Sequence, residues 1–377
     1  MGHFEYSFGI EEEYFLSSAK TGNLVAHAPK RLLNAARDKL GDAVTAELLQ
    51  SQIEIASPIF HSMDEARDSM ARLRSQLAEL VATMGLRLTA ASTHPLGAWR
   101  EQTATEKPRY DQLMSDFRII GQRNLVCGMH VHVAVPDGVD RVALMNRVMP
   151  WLPVFLALST SSPFWDRHIT GLLSYRQAIY DEWPRSGIPD FFDGESDYGK
   201  FAGLMTKVAA IKDASYFWWA IRPALKFPTL EMRIADVCTR VEDGIAIAAL
   251  YRALLATLIE RPELGAIRTT HTRRLIDENR WYAKRDGINA KFIDERTQTT
   301  VPLTALVQQL LDLVQPAAER LDCVPALQRI TDITANGTSA HTQLRLYNER
   351  RASGDTRTKA LHHVVDWLIA TTARPVR

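Results

Sequence analysis

Seven polar residues recur on short stretches of two-residue periodicity, and their types suggest chemistry before any element is assigned. They are Glu11 and Glu13 in Gly9–Tyr14, Glu54 in Gln52–Ala56, His130 and His132 in Met129–Val133, and Glu231 and Arg233 in Leu230–Ile234. Residues two apart share one face of a strand. Glu11 and Glu13 therefore lie together opposite Ile10, Glu54 lies opposite Ile53 and Ile55, and both histidines face away from Val131 and Val133. Glu231 and Arg233 likewise face away from Leu230, Met232 and Ile234. An antiparallel sheet with one face on a core and the other in water reads the same way, so a solvated face is the plain alternative. Residue type favours a cleft instead. A solvated face mixes in Lys, Thr and Ser, whereas gathered carboxylates repel one another unless cations sit among them. Carboxylates with imidazole suit Mg²⁺ or Mn²⁺ rather than zinc, and such sites serve substrate phosphates. Arg233 supports a phosphate, which a guanidinium binds in a two-pronged fashion. Arg176 and Arg222 are further candidates of that kind, though a lone arginine is more often a surface or ion-pair residue.

The elements that would carry these residues are mixed. Strands are expected over about 4–15, 52–57, 86–93, 129–135 and 229–236. A helix starts at the capping box Ser62–Glu65 and closes near Gly85, with Ala66, Met70, Leu73, Leu77, Leu80 and Met84 at three-to-four spacing. A second, apolar all round, runs from about Glu242 to Arg261 and is stopped by Pro262. Further helical patterns cover roughly 29–40, 108–121, 139–160, 197–213, 302–334 and 356–372. The Gly-, Pro- and aromatic-rich segment Ser161–Ser196 is expected to be a long functional loop. Helices interleaved with isolated strands imply a mixed α/β or α+β layer architecture, and the absence of a clean linker favours one domain over 1–377.

Composition excludes several classes. With 45 Lys+Arg against 44 Asp+Glu in 377 residues, no basic surplus exists to displace counterions from a nucleic acid. The longest apolar stretch, Ile245–Ile259, is broken by Tyr251 and Arg252 and falls short of the ~20 residues of a membrane span. No signal peptide is expected from the start of the chain. Three distant cysteines, Cys127, Cys238 and Cys323, argue against a disulfide framework or zinc knuckle. A soluble, cytoplasmic enzyme is the expectation. There is no phosphate loop, no dinucleotide fingerprint and no nucleophile elbow; any nucleotide must be held by metal ions and arginines on the sheet.

Taken in order, Gly9–Glu13, Gln52–Pro58, Gly128–Val133 and Leu230–Arg233 resemble the glutamate–cysteine ligase type 2 family, ATP-dependent carboxylate–amine ligases. The likeness continues through Ser92–Pro95, Ser174–Arg176, Trp219–Pro223 and Asn279–Trp281 and spans roughly 5–290, leaving 300–377 as a helical tail. The resemblance implies a glutamine-synthetase-like α+β fold: an antiparallel sheet, helices on one face, and on the other a charged funnel for ATP, Mg²⁺ or Mn²⁺ and an acidic amino acid. It implies metal–nucleotide binding by Glu11, Glu13, Glu54, His130 and Glu231, with Arg233 facing the transferred phosphoryl group. Arg233, Glu54 and Glu231 are then the catalytic candidates, and Arg176, Arg222 and Arg280 the nucleotide-binding ones. Glu47 resembles a further acidic ligand. It stands seven residues before Glu54, so either the strand breaks near Gln50–Ser51 or Glu47 is no ligand. His132 shares the cleft face without a role that carries over. Two features depart from the family pattern: Pro228 stands where Gly is more usual, and Asn336–His341 lacks the arginines that follow an Asn-Gly-Ala run, which puts a tail contribution to the site in doubt. The expected substrates are glutamate or a similar acid and cysteine or another amine, with no nucleic-acid or membrane partner and homo-oligomerisation left open. The rival readings are a metal-dependent hydrolase of the His-x-His kind and a nucleotide- and metal-binding protein with vestigial catalysis.

Overall fold

The computed structural model describes residues 5–266 and 268–374; the first residue of the strand expected over 4–15 falls outside these. Seven strands form one antiparallel sheet: β1 (Phe8–Ser18), β2 (Val44–Ala46), β3 (Gln52–Ala56), β4 (Leu86–Thr89), β5 (Met129–Ala134), β6 (Ile221–Pro223) and β7 (Thr229–Met232). Their order is β6-β7-β5-β1-β3-β2, with β4 also on β1. At 11 residues β1 is long enough to pair with three partners, β3, β4 and β5.

Alternation divides the sheet as its sequence requires. Phe8, Ile10, Ile53, Ile55, Val131, Val133, Leu230 and Met232 are all buried in the main core. Helix Val241–Glu260, buried along nearly its whole length, packs against β5 and against helices Met63–Ala82, Leu303–Arg320 and Val324–Asn336. Met63–Ala82 is capped by Ser62 Oγ, which accepts from Glu65 N at 3.2 Å, and buries Ala66, Met70, Leu73 and Leu77. One acidic residue interrupts the apolar face. Glu12, between Glu11 and Glu13, points into the core and is bound by Arg74 through Nε at 2.8 Å and Nη2 at 2.5 Å; both residues are about 2% exposed or less.

Several expected boundaries differ for identifiable reasons. The run over 302–334 is two helices, because Asp322 takes a left-handed backbone (φ 53°) at the turn between them. The run over 139–160 is Arg141–Val148 and Leu152–Ser159 joined by a 3₁₀ turn containing Pro150, with Pro153 opening the second helix. Helices Thr272–Asp286 and Ser339–Ala352 carry too many charges to show an apolar stripe and were not expected. Arg141–Ser159 is the one stretch among the described residues long and apolar enough to cross a membrane, but 78% of it is buried inside the fold.

Candidate active site

Sheet register brings the polar positions together. Across β1 and β5 Glu11 pairs with His130; across β1 and β3 Glu13 pairs with Glu54; across β7 and β5 Glu231 pairs with His132; and across β6 and β7 Arg222 pairs with Glu231. The strand does break between β2 and β3, at Glu47–Ser51. The return places Glu47 on the same side as Glu54, and ligand oxygens of Glu13, Glu47 and Glu54 all lie within 4.8 Å of one another. Like charges directly opposite each other destabilise a sheet, so this triad is a costly arrangement without a cation. Burial first, then the charge of Glu47, pushes the Glu13 carboxyl up to about 8. Burial and the charges of Glu47, Glu11 and Glu13 hold Glu54 well above the carboxylate range, and burial raises Glu47. All-oxygen donors of this kind fit Mg²⁺ or Mn²⁺.

A second group adjoins it. Glu11, His132 and Glu231 offer ligand atoms within 4.8 Å of one another. Burial opposes ionisation of Glu11, but hydrogen bonds from His130 and His132 outweigh it and keep the carboxyl low. His130 Nδ1 sits 3.0 Å from Glu11 Oε2 and 3.3 Å from Arg233 Nη1, and its Nε2 faces Glu13 at 3.9 Å. Burial, then Arg233, lowers His130 to about 4 and keeps it neutral. His132 places Nε2 at 3.4 Å from Glu11 and 3.8 Å from Glu231, while Thr229 Oγ1 lies 3.1 Å from its Nδ1.

The arginines divide by task. Arg233 Nη1 bonds Glu231 and its Nη2 bonds the Tyr180 hydroxyl at 3.3 Å. Arg222 grips the same Glu231 through Nε at 2.7 Å and Nη2 at 3.3 Å, and also binds the carbonyls of Ser215 and Phe217. Burial works against the Glu231 charge; Arg233 and Arg222 override it and hold the carboxyl far below its usual range. Arg176, 2% exposed, spends Nη1 and Nη2 on the carbonyls of Arg233, Ile234 and Ala235. A Cβ on Gly128 would meet its Nη2 at 2.3 Å, so the glycine is required by this close approach.

These groups open on a cavity of about 220 Å³ lined by Glu11, Glu13, Glu47, Glu54, His130, Arg176 and Arg233 on its charged side. Glu231 and Arg222 lie beside it rather than on its wall. The structure does not bring Arg280 there: its Nη1 is 2.7 Å from Asp181 and its Nε 3.2 Å from Asp277. No described residue beyond Arg233 lines the cavity, so the helical tail stays out of it. Asn124, Tyr110, Tyr180, Trp183 and Trp218 do line it and were not expected. Tyr180 and Trp183 come from the Ser161–Ser196 segment that composition marked as functional; the others carried no local signal.

The site is thus a charged face of an antiparallel sheet, bearing carboxylates, imidazoles and arginines, with helices packed on the other face. The chain belongs to the glutamate–cysteine ligase family 2, whose pattern matches residues 7–362. It is 41% identical over 369 residues, 97% of each chain, to a protein of Ectopseudomonas mendocina (strain ymp) described as "Putative glutamate--cysteine ligase 2". Two solved structures share the fold at far lower identity. A bifunctional glutathione synthetase from Pasteurella multocida superposes with a TM-score of 0.71 at 14% identity, covering 97% of this chain and 52% of that one. A glutamate–cysteine ligase from Francisella tularensis in complex with AMP gives 0.70 at 13%, covering 98% and 89%.

Proposed function

We propose that the protein is an ATP-dependent ligase that joins the side-chain carboxylate of glutamate, or of a similar acid, to an amine through an acyl phosphate. The relatives' names make cysteine the first amine to try. The observation that carries this reading is the register pairing of Glu13 with Glu54, with Glu47 drawn into the same buried group beside Arg233.

A carboxylate is a poor acylating agent at neutral pH and needs a better leaving group. Its oxygen attacks the γ-phosphorus of ATP, ADP departs, and the amine then displaces phosphate from the acyl carbon. The obstacle is the approach of an anion to a polyanion. Mg²⁺ or Mn²⁺ held by Glu13, Glu47 and Glu54, and a second ion by Glu11, Glu231 and an imidazole, would neutralise phosphate oxygens. Arg233 presents a permanent positive charge to the transferred group, with its orientation fixed by Glu231 and the Tyr180 hydroxyl. Arg222 completes the neutralisation of Glu231, and Arg176 ties down the backbone on which Arg233 sits. Little covalent work falls to the protein, as in phosphoryl transfer governed by positioning and charge.

The test is ADP release in the presence of ATP and Mg²⁺ or Mn²⁺. Glutamate alone should support slow release with 5-oxoproline formed by cyclisation, and an added amine should divert the product to an amide. Equal ADP release with no amino acid, and no 5-oxoproline with glutamate, would reject the reading.

A further inference from the structure

Part of the cavity lining has a different chemistry from the carboxylates. Tyr110, Leu113, Val126, Trp183 and Trp218 form it. One further ring packs on that wall: Phe117 lies 4.8 Å from Trp183 and 5.6 Å from Trp218, and the two tryptophans are 5.2 Å apart. The contacts are tilted or edge-on, the latter an arrangement that aromatic pairs favour. Four polar atoms on cavity-lining residues are buried with no partner: Trp183 Nε1, Asn124 Oδ1, Arg176 Nε and Arg233 Nε. Trp183 is only 6% exposed. A buried indole N–H nearly always finds an acceptor, and none of these four atoms has a partner.

We propose that the acyl acceptor of this enzyme is an amino acid or amine bearing a flat or bulky apolar group, seated on Trp183, Trp218, Tyr110 and Leu113, in preference to cysteine. The proposal rests on the ligase reading and names its second substrate class. The aromatic wall is wider than a thiomethyl group can cover, and each carbon left unburied in such a pocket weakens discrimination in its favour by roughly tenfold or more. In the step itself the amine nitrogen forms a bond to the acyl carbon and the carbon–oxygen bond to phosphate breaks. Phosphate leaves with the electron pair and takes up the proton that the nitrogen loses.

The experiment compares acceptors on the intact protein with glutamate, ATP and Mg²⁺ fixed. Phenylalanine and 2-phenylethylamine are set against cysteine and glycine, with ADP and the amide product both measured. The expected result is a kcat/KM at least tenfold higher for a ring-bearing acceptor than for cysteine. Trp183→Leu should raise the KM of that acceptor at least tenfold while shifting the KM of ATP less than twofold, and Trp183→Phe should recover most of the loss. A tenfold preference for cysteine overturns the proposal and leaves the ligase reading standing. A rise confined to the KM of ATP overturns it too, by giving the wall to the adenine ring. Absence of glutamate-dependent ADP release with every acceptor removes the ligase reading itself, and the proposal with it.

Discussion

Replacing Glu54 by Gln isolates the electrostatics of the carboxylate triad from its shape. The two side chains are isosteric, the amide oxygen can still accept the 3.1 Å hydrogen bond from Thr45 Oγ1, and no cavity opens. What changes is charge. Two ionised carboxylates with oxygens within 4.8 Å of each other repel by about 3.5 kcal/mol or more at an effective dielectric constant of 20. Protonation of the group absorbs part of that, so the metal-free variant should gain at most about 3 kcal/mol. An unfolding entropy near 2 cal/mol/K per residue amounts to about 0.8 kcal/mol/K for 377 residues, and the gain becomes a rise in melting temperature of up to about 4 °C in EDTA. Adding Mg²⁺ or Mn²⁺ should reverse the ranking: the wild type gains stability by linkage, the variant gains little, and its turnover is lost. The assay is a melting curve in EDTA and at saturating metal, beside ADP release. A variant no more stable in EDTA, still stabilised by metal and still active, would refute the reasoning and remove Glu54 from the site.

Other expectations follow from the same geometry. Arg233→Lys keeps the charge but loses the planar fork that holds both Glu231 and Tyr180, so ADP release should fall about 100-fold while nucleotide affinity measured by calorimetry changes only a few-fold. Arg74→Ala leaves Glu12 charged and unpaired in the core and should cost about 3–5 kcal/mol in urea unfolding; Ile53→Asp and Val131→Asp, at buried positions on the apolar face, should be at least as damaging. Metal affinity should depend on pH. The metal-free Glu13 carboxyl is raised to about 8, and a cation needs it ionised. Affinity should therefore rise at least about tenfold per pH unit from 6 to 8, with proton release visible in buffers of different ionisation enthalpy. The same raised value means that Glu13 favours the metal-free fold fully below pH ~4.5 and loses that contribution as pH climbs through about 8.

How much of this was legible in the sequence depends on how local the signal is. Parity alone placed Glu11, Glu13, Glu54, His130, His132, Glu231 and Arg233 on one face, because the side-chain period of a strand is fixed at two and each strand has aliphatic residues to set its phase. The ordered motifs then supplied the fold. Parity says nothing about what covers a face. Gln52 shares the Glu54 side, yet it is buried and donates to the Val126 carbonyl at 2.6 Å. Glu12 is hidden among charged neighbours, and its partner Arg74 lies 62 residues away on a helix. Arg176, Arg222 and Arg280 share a residue type but not a task, since the partners that distinguish them come from distant segments. The tryptophan wall has no period at all; Trp183 and Trp218 come from separate segments that meet only in the folded chain.

The most direct test of the central claim follows oxygen from the acid to phosphate. With glutamate carrying ¹⁸O in its side-chain carboxylate, together with ATP, Mg²⁺ and an amine, an acyl phosphate must pass one labelled oxygen to each phosphate released. Phosphate labelled once per turnover, by mass spectrometry, is the predicted result. Unlabelled phosphate accompanying full ADP release would mean that water, not the carboxylate, attacks ATP, and would contradict the assignment of this site as a carboxylate–amine ligase.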